Sequence, residues 1–148
     1  EAAKEFIDRY FERFPGIRDY MDATTVFAKE NGYVQTLFGR KIHTPEINAK
    51  GPGAGFARRA AINAPIQGTA ADIIRRAMVR MKAALGDLPA TMLLQVHDEL
   101  IFEVAEDAVD ATVSAVREVM EGAAAPAVAL SVPLVVDAGQ GANWAQAH

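Results

Sequence analysis

The 148-residue sequence contains no cysteine and only one tryptophan. Without cysteine, disulfides and thiolate metal sites are excluded, and a reducing cytoplasm is the expected location. No apolar run approaches the length that a membrane span needs, and the opening EAAKEFIDRY lacks a signal-peptide pattern. The chain begins with Glu1 inside an expected helix. We therefore expect a piece cut from a longer, soluble protein with no membrane partner.

Basic residues are nearly absent from the last 66 residues of the chain. Residues 83–148 hold one basic residue, Arg117, against ten acids, which is a net charge of −9. Residues 40–82 hold nine basic residues against two acids, which is a net charge of +7. Such a partition is typical of a polyanion-binding face on an acidic protein. The alternative is a solvated helix surface, and charge counts alone do not separate the two.

The first part of the chain reads as helical, with one small hairpin. Apolar spacing predicts a helix over residues 2–14, stopped by Pro15-Gly16, and a second helix that ends at Asn31-Gly32. The segment GYVQTLFGRKIHTP then predicts a hairpin with a basic tip. Residues 46–55 predict a loop and the best subdomain border.

The second part predicts helices packed on antiparallel strands. Phe56 to Leu85 has helical spacing, but Pro65 and Gly68 interrupt it, so we expect one kinked helix or two abutting helices. The segment LLQVHDELIFEV predicts a hairpin. A helix over 105–122, with Glu106 and Asp107 in its first turn, and a last strand over 132–138 complete an α+β fold.

The most informative feature is the triplet His97-Asp98-Glu99 between two strand-forming runs. We place Asp98-Glu99 in a tight turn, although this pair is only a partial match to the Asn-Gly, Asp-Gly or leading Gly that the positive φ of such turns favours. A solvated turn explains the acids equally well from pattern alone, but their density favours metal or phosphate chemistry. A metal centre needs a further carboxylate, and the other candidates, Asp72 and Asp137, have no distinguishing context. For His97, packing is the more usual role than metal ligation.

A second feature is a polar stripe beside the basic residues of the 40–82 segment, called the basic block below. Arg59, Asn63 and Gln67 are four residues apart, so on a continuous helix they share one face. Their side chains can donate hydrogen bonds to base edges and sugars, and the minor groove offers similar acceptors at every base pair. The stripe could check duplex geometry without reading sequence. A solvent-facing helix side is the equal alternative, and Pro65 could break the register.

Four segments in order resemble the end of bacterial family A DNA polymerases of the DNA polymerase I type. They are GYVQTLFGRKIHTPEI, RRAAINAPIQGTAADIIRRAM, LLQVHDELIFEV and VPLVVDAG with a following GANWAQAH. The resemblance covers nearly the whole chain. It implies an antiparallel palm-type sheet with a catalytic hairpin, covered by helices. Residues 1–50 would be the late fingers and residues 51–148 the remaining, C-terminal part of the palm.

The resemblance also implies roles for individual residues. Asp98 corresponds to a catalytic metal-binding aspartate, with Glu99 as the adjacent supporting carboxylate. His97 would lie near the primer terminus, and Arg59, Asn63 and Gln67 match a stripe that contacts template and primer. The implied reaction is DNA-directed DNA synthesis in replication or repair: a primer 3′-OH attacks a deoxynucleoside triphosphate with Mg²⁺ as cofactor.

Several parts of the family pattern are absent from this sequence. The other catalytic aspartate, the fingers helix that holds the incoming nucleotide, and the thumb lie outside it. The expected partners are primer-template DNA, deoxynucleoside triphosphates and the remainder of the polymerase. We expect the isolated chain to be inactive. The competing hypotheses are a DNA-binding module with structural acids and a metal-dependent phosphoesterase, which would need a second carboxylate cluster.

Overall fold

Two helices open the chain, as the apolar spacing predicts. The computed structural model describes residues 2–148, beginning with α1 (Ala2–Arg13) and α2 (Pro15–Asn31). Pro15 starts α2, where its missing N–H would have had no helical partner. Gly32 ends α2 with φ 75°, and its N–H donates to the carbonyl oxygen of Ala28. The expected boundaries at Pro15 and Gly32 are confirmed. Both residues act through simple backbone sterics, which sequence alone reveals.

The small hairpin follows, also as expected, from β1 (Tyr33–Gln35) and β2 (Lys41–His43). The hairpin packs directly against α3 (Ala54–Leu85) at Gly68. A Cβ on Gly68 would lie 2.7 Å from Cγ2 of Thr36 and 2.8 Å from Cδ1 of Ile42. Glycine is therefore required at this position by the close approach of the hairpin, and the neighbouring Thr69 Oγ1 accepts the Leu37 N–H at 3.0 Å.

The long helix α3 is a single element of 32 residues with Pro65 inside it. The sequence left open one kinked helix or two abutting helices, and the prediction of two abutting helices is therefore wrong. Proline removes one backbone N–H and crowds the preceding turn, at a cost of about 3 kcal/mol in a helix interior. Packing of the neighbouring turns helps to offset that cost, since Ala61 and Ile62 before Pro65 and Gly68 and Thr69 after it are buried.

The structure divides into two compact units, residues 2–69 and residues 70–148, and each has its own buried side chains. In the first unit, Ala28, Val34, Ile47 and Ala61 form the core, with Ile42 and Ala64 packed against it. In the second unit, the most buried apolar side chains come from α3 and from the chain after α4: Ala77, Met81, Ala123 and Ala124.

The second hairpin joins β3 (Ala90–Val96) and β4 (Glu99–Val104). The strands pair antiparallel from Ala90 with Val104 to Val96 with Glu99. A bulge at Leu93 interrupts the register, since Met92 pairs with Phe102 and Leu94 with Ile101. Bulges increase local twist and bend a strand, and they are over-represented next to functional sites.

The helix expected over 105–122 begins later than the sequence suggested. Residues Glu106–Ala108 form a 3₁₀ turn, and α4 runs over Val109–Glu121. Ala105 is extended (φ −63°, ψ 140°) and donates its N–H to the Pro89 carbonyl, so it closes the base of the hairpin. The acids Glu106 and Asp107 therefore lie in the 3₁₀ turn and not in the first turn of α4.

The strand expected over residues 132–138 is wrong. A strand needs a hydrogen-bonded neighbour, and within residues 2–148 the pairing is confined to the two hairpins. Side chains of α4 hold this segment instead: Arg117 Nε donates to the Val136 carbonyl at 3.1 Å, and the Val136 N–H donates to Glu121 Oε1 at 3.1 Å. The chain then ends in a short helix, α5 (Trp144–Ala147).

The α+β class is confirmed, as helices with two small antiparallel hairpins. The two compact units divide inside α3, whereas the fingers and palm boundary at residues 50 and 51 is a functional assignment and stays a prediction. None of the helices in residues 2–148 is both long enough and apolar enough to span a membrane.

Candidate functional site

In the first unit, contacts with α2 fix which face of α3 is turned outward. Tyr20 Oη donates to the Ile62 carbonyl at 2.7 Å, and Arg58 Nη2 pairs with Asp22 Oδ1 at 2.9 Å. Ala61 is fully buried on the packed side. These contacts hold the rotation of α3 about its axis, so the remaining face is presented to solvent.

The stripe lies on that remaining face. Arg59, Asn63 and Gln67 are all exposed, and α3 is helical throughout their range despite Pro65. The register that places them on one face is therefore kept, as the sequence predicted. A row of one guanidinium and two amides offers several hydrogen-bond donors at a spacing of about 6 Å along the helix.

Part of the basic block is engaged by the protein itself. Arg40 Nη2 donates to the Gly68 carbonyl at 3.0 Å, and Lys41 Nζ lies 4.4 Å from the centre of the Tyr33 ring. In the second unit, Arg76 Nε donates to the Ala123 carbonyl and Arg80 Nη2 to the Ala125 carbonyl. The charge partition therefore overstates the free positive surface, because several of these cations also hold secondary-structure elements together.

In the second unit, the hairpin tip carries the acidic triplet, but the turn is displaced by one residue from the sequence-based placement. Because Val96 pairs with Glu99, the two-residue connection is His97-Asp98, and Glu99 is the first residue of β4. The earlier placement of Asp98-Glu99 in the turn is wrong. The strand register decides this point, and the apolar pattern of LLQV and LIFEV does not specify it.

His97 supplies the positive φ that the turn needs. Its φ is 52°, and it is the one non-glycine residue with positive φ among residues 2–148. The left-handed region costs a residue with a Cβ about 1–2 kcal/mol, and a two-residue turn with positive φ at its first position normally holds glycine there. Gln95 supports the turn by donating from Nε2 to the His97 carbonyl at 3.1 Å.

The two acids of the triplet have different surroundings. Asp98 is exposed at the tip, whereas Glu99 is partly buried and its Oε1 lies 3.2 Å from Nδ1 of His148. Sequence reasoning missed His148, although it is part of the GANWAQAH segment that carried the resemblance. Nothing in its spacing from Glu99 along the chain indicates that the two residues meet.

The donor chemistry of the turn suits a hard cation, but the described residues 2–148 do not supply a full set of ligands. Carboxylates are preferred Mg²⁺ ligands, and the side chain of Asp98 is exposed to solvent at the turn. Within residues 2–148, no group of three or more histidine and carboxylate side chains is arranged to hold a metal ion. A phosphoesterase site with its own carboxylate cluster is therefore not formed by these residues.

Comparison with known proteins identifies the class. The model of DNA polymerase family A matches residues 1–146. The chain is 52% identical to DNA polymerase I of Rhizobium leguminosarum, over 99% of this chain and 15% of that protein. It is likewise 52% identical to DNA polymerase I of Pseudomonas aeruginosa, over 100% of this chain and 16% of that protein. The chain belongs to DNA polymerase family A.

A solved structure supports the same assignment. The POL domain of Pol1 from M. smegmatis, in complex with DNA primer-template and dNTP, superimposes with a TM-score of 0.91 at 43% sequence identity. The match covers 99% of this chain and 26% of that one. The chain thus spans about 15% of the length of these two curated relatives, and about a quarter of the solved polymerase domain.

Proposed function

We propose that this chain is part of a DNA-directed DNA polymerase, which transfers a nucleotide from a deoxynucleoside triphosphate to a primer 3′-OH. The observation that carries the proposal is the 0.91 TM-score, over 99% of the chain, to a polymerase domain bound to primer-template and dNTP. Replication and repair synthesis, primer-template and nucleotide partners, and a bacterial cytoplasmic location follow from that membership. Residues 1–50 would belong to the fingers and residues 51–148 to the palm.

Asp98 is proposed as the metal-binding catalytic carboxylate. It stands at the tip of a two-residue turn, so its main chain is fixed by paired strands on both sides. Bound Mg²⁺ would supply Lewis-acid activation of the primer hydroxyl and neutralise charge on the transferred phosphate. The remaining ligands would come from outside this chain, including the family's other aspartate. Within the chain, Asp98 contributes one anionic oxygen ligand, and Glu99 supports the charge beside it.

His97 and the α3 stripe are proposed as DNA contacts. His97 is exposed at the same turn as Asp98, which places an imidazole donor beside the proposed metal ligand. The stripe presents two amides in addition to one charge, and amides can donate hydrogen bonds to base edges and sugars without adding positive charge. The stripe belongs to the first unit of the structure and His97 to the second.

A direct assay tests the function. The full-length protein that contains this chain, purified and supplied with primed template, Mg²⁺ and deoxynucleoside triphosphates, is expected to extend the primer by template-directed addition. Omitting one nucleotide should stop synthesis at the first template position that requires it. Absence of extension with any divalent metal, or extension that ignores the template, would contradict the proposal.

The stripe can be tested by replacing Arg59, Asn63 and Gln67 together with alanine in the full-length protein. Alanine favours helix, so α3 should remain folded. At roughly 1 kcal/mol for each lost hydrogen bond, the Kd for a matched primer-template is expected to rise about a hundredfold. Because only Arg59 carries charge, the slope of log K against log salt should change by no more than about 0.9.

The control for that experiment is Lys82→Ala, an exposed cation near the other end of α3. It removes one charge without touching the stripe, and its effect on the Kd should stay within a few fold. An unchanged affinity in the triple variant, measured at the same salt concentration, would eliminate the stripe as a DNA contact.

A further inference from the structure

Residues 139–148, the clasp, fold back on themselves. The Asn143 side-chain oxygen accepts the Gln146 N–H at 3.2 Å, and the Gln146 side-chain oxygen accepts the Ala142 N–H at 3.2 Å. The Ala147 N–H donates to the Asn143 carbonyl, also at 3.2 Å. These bonds close a short loop over α5, and His148 is the next residue.

Two glycines allow the clasp to close. A Cβ on Gly139 would collide with the carbonyl oxygen of Ala147, and a Cβ on Gly141 would lie 2.7 Å from Cβ of Gln146. A side chain at either position would force apart the two backbone segments that meet in the clasp. The absence of a side chain at Gly139 therefore allows its backbone to approach that of Ala147, the residue before His148.

The clasp is held at both ends within the second unit. Upstream, Arg117 and Glu121 of α4 bond the main chain of Val136, only three residues before Gly139. Downstream, Nδ1 of His148 lies 3.2 Å from Oε1 of Glu99. The clasp thus connects α4 to the first residue of β4, which adjoins the turn that carries Asp98.

The pair between His148 and Glu99 is too exposed to matter for folding. The two side chains are 70% and 41% exposed, and surface ion pairs contribute at most about 1 kcal/mol. Its consequence is geometric, because glutamate has three rotatable side-chain bonds and a contact at Oε1 restricts them. The clasp therefore ends in a contact with the carboxylate of Glu99, which is the residue after the proposed metal ligand in the chain.

We propose that His148 is a positioning residue, which holds the Glu99 carboxylate beside Asp98, and that the clasp keeps His148 in place. This inference rests on the proposed polymerase function. Partners that orient the groups around a metal site typically affect activity by about 10–100-fold when they are removed. The loss should appear in the chemical step and not in the binding of DNA, since His148 acts through Glu99.

The test uses the full-length polymerase and single-turnover incorporation of one nucleotide. His148→Ala is expected to lower the incorporation rate about tenfold while the Kd for primer-template stays within about twofold. His148→Gln retains an N–H donor and should recover most of that rate. Gly139→Ala should lower the rate as His148→Ala does, and should add nothing in the His148→Ala background, because both changes remove the same contact.

Glu99→Gln completes a double-mutant cycle with His148→Ala, and the two losses should not add. Glu103→Gln is the matched control, since Glu103 is an exposed acid four residues along the same strand; it should leave the rate unchanged. A wild-type rate in His148→Ala, equal losses in His148→Ala and His148→Gln, or additive losses with Glu99→Gln would overturn the proposal.

The positioning role of His148 and the proposed polymerase function can fail separately. If Asp98→Ala abolishes extension and His148→Ala does not slow it, the positioning role is wrong and the polymerase function stands. If Asp98→Ala leaves extension intact, the proposed catalytic turn itself is wrong.

Discussion

Asp98→Ala in the full-length protein, the proposed polymerase, is expected to lower the rate of nucleotide incorporation by about a thousandfold. Removing a single group that stabilises transition-state charge commonly costs about 10²–10³ in rate, and we expect the upper end of that range if Asp98 holds the metal as proposed. Asp98 is exposed, so its removal leaves no cavity and no unpaired buried partner. The measurement is single-turnover incorporation at saturating DNA and nucleotide, with the Kd for primer-template determined on the same preparation.

The Kd for primer-template distinguishes a catalytic role of Asp98 from a structural one. If Asp98 is catalytic, primer-template binding should change by less than about threefold, since the α3 stripe is intact. A DNA-binding module with structural acids predicts the opposite: Asp98→Ala would weaken folding and binding in proportion. Asp87→Ala, an exposed acid in the turn before β3, is the matched control and should alter neither quantity.

The isolated 148-residue chain is expected to give no primer extension under conditions in which the full-length protein extends efficiently. Its residues 2–148 contain no metal-holding group of three histidine or carboxylate side chains, and the proposed metal site at Asp98 would need ligands from elsewhere. The measurement is gel-resolved extension of a labelled primer with Mg²⁺ and all four nucleotides, alongside circular dichroism to verify that the chain is helical.

Contaminating host polymerase is the main source of error in that assay. The Asp98→Ala version of the isolated chain, purified identically, gives the background. Extension by the unaltered chain above that background would contradict the claim that the site is completed from outside this sequence.

The parts of the fold that sequence predicted well are those set by local sterics. Pro15 and Gly32 bound α2 because each permits a backbone conformation that other residues resist. The stripe of Arg59, Asn63 and Gln67 followed from a helical repeat of 3.6 residues, and α3 preserves that repeat through Pro65.

The parts that sequence could not predict depend on pairing and on distant contacts. Residues 132–138 have strand composition, but strand formation needs a neighbour, and α4 side chains bond this segment instead. The turn at His97-Asp98 was misplaced by one residue because register sets it. The contact of His148 with Glu99 joins residues 49 positions apart through a loop that closes only because of its glycines.

The central claim is that the carboxylate of Asp98 binds the catalytic metal, and Asp98→Asn tests it most directly. This change keeps the size and shape of the side chain and removes only its negative charge. The account predicts that single-turnover incorporation by the full-length Asp98→Asn enzyme falls by about a thousandfold in Mg²⁺, with an unchanged Kd for primer-template. Incorporation within a few fold of the wild-type rate would contradict it.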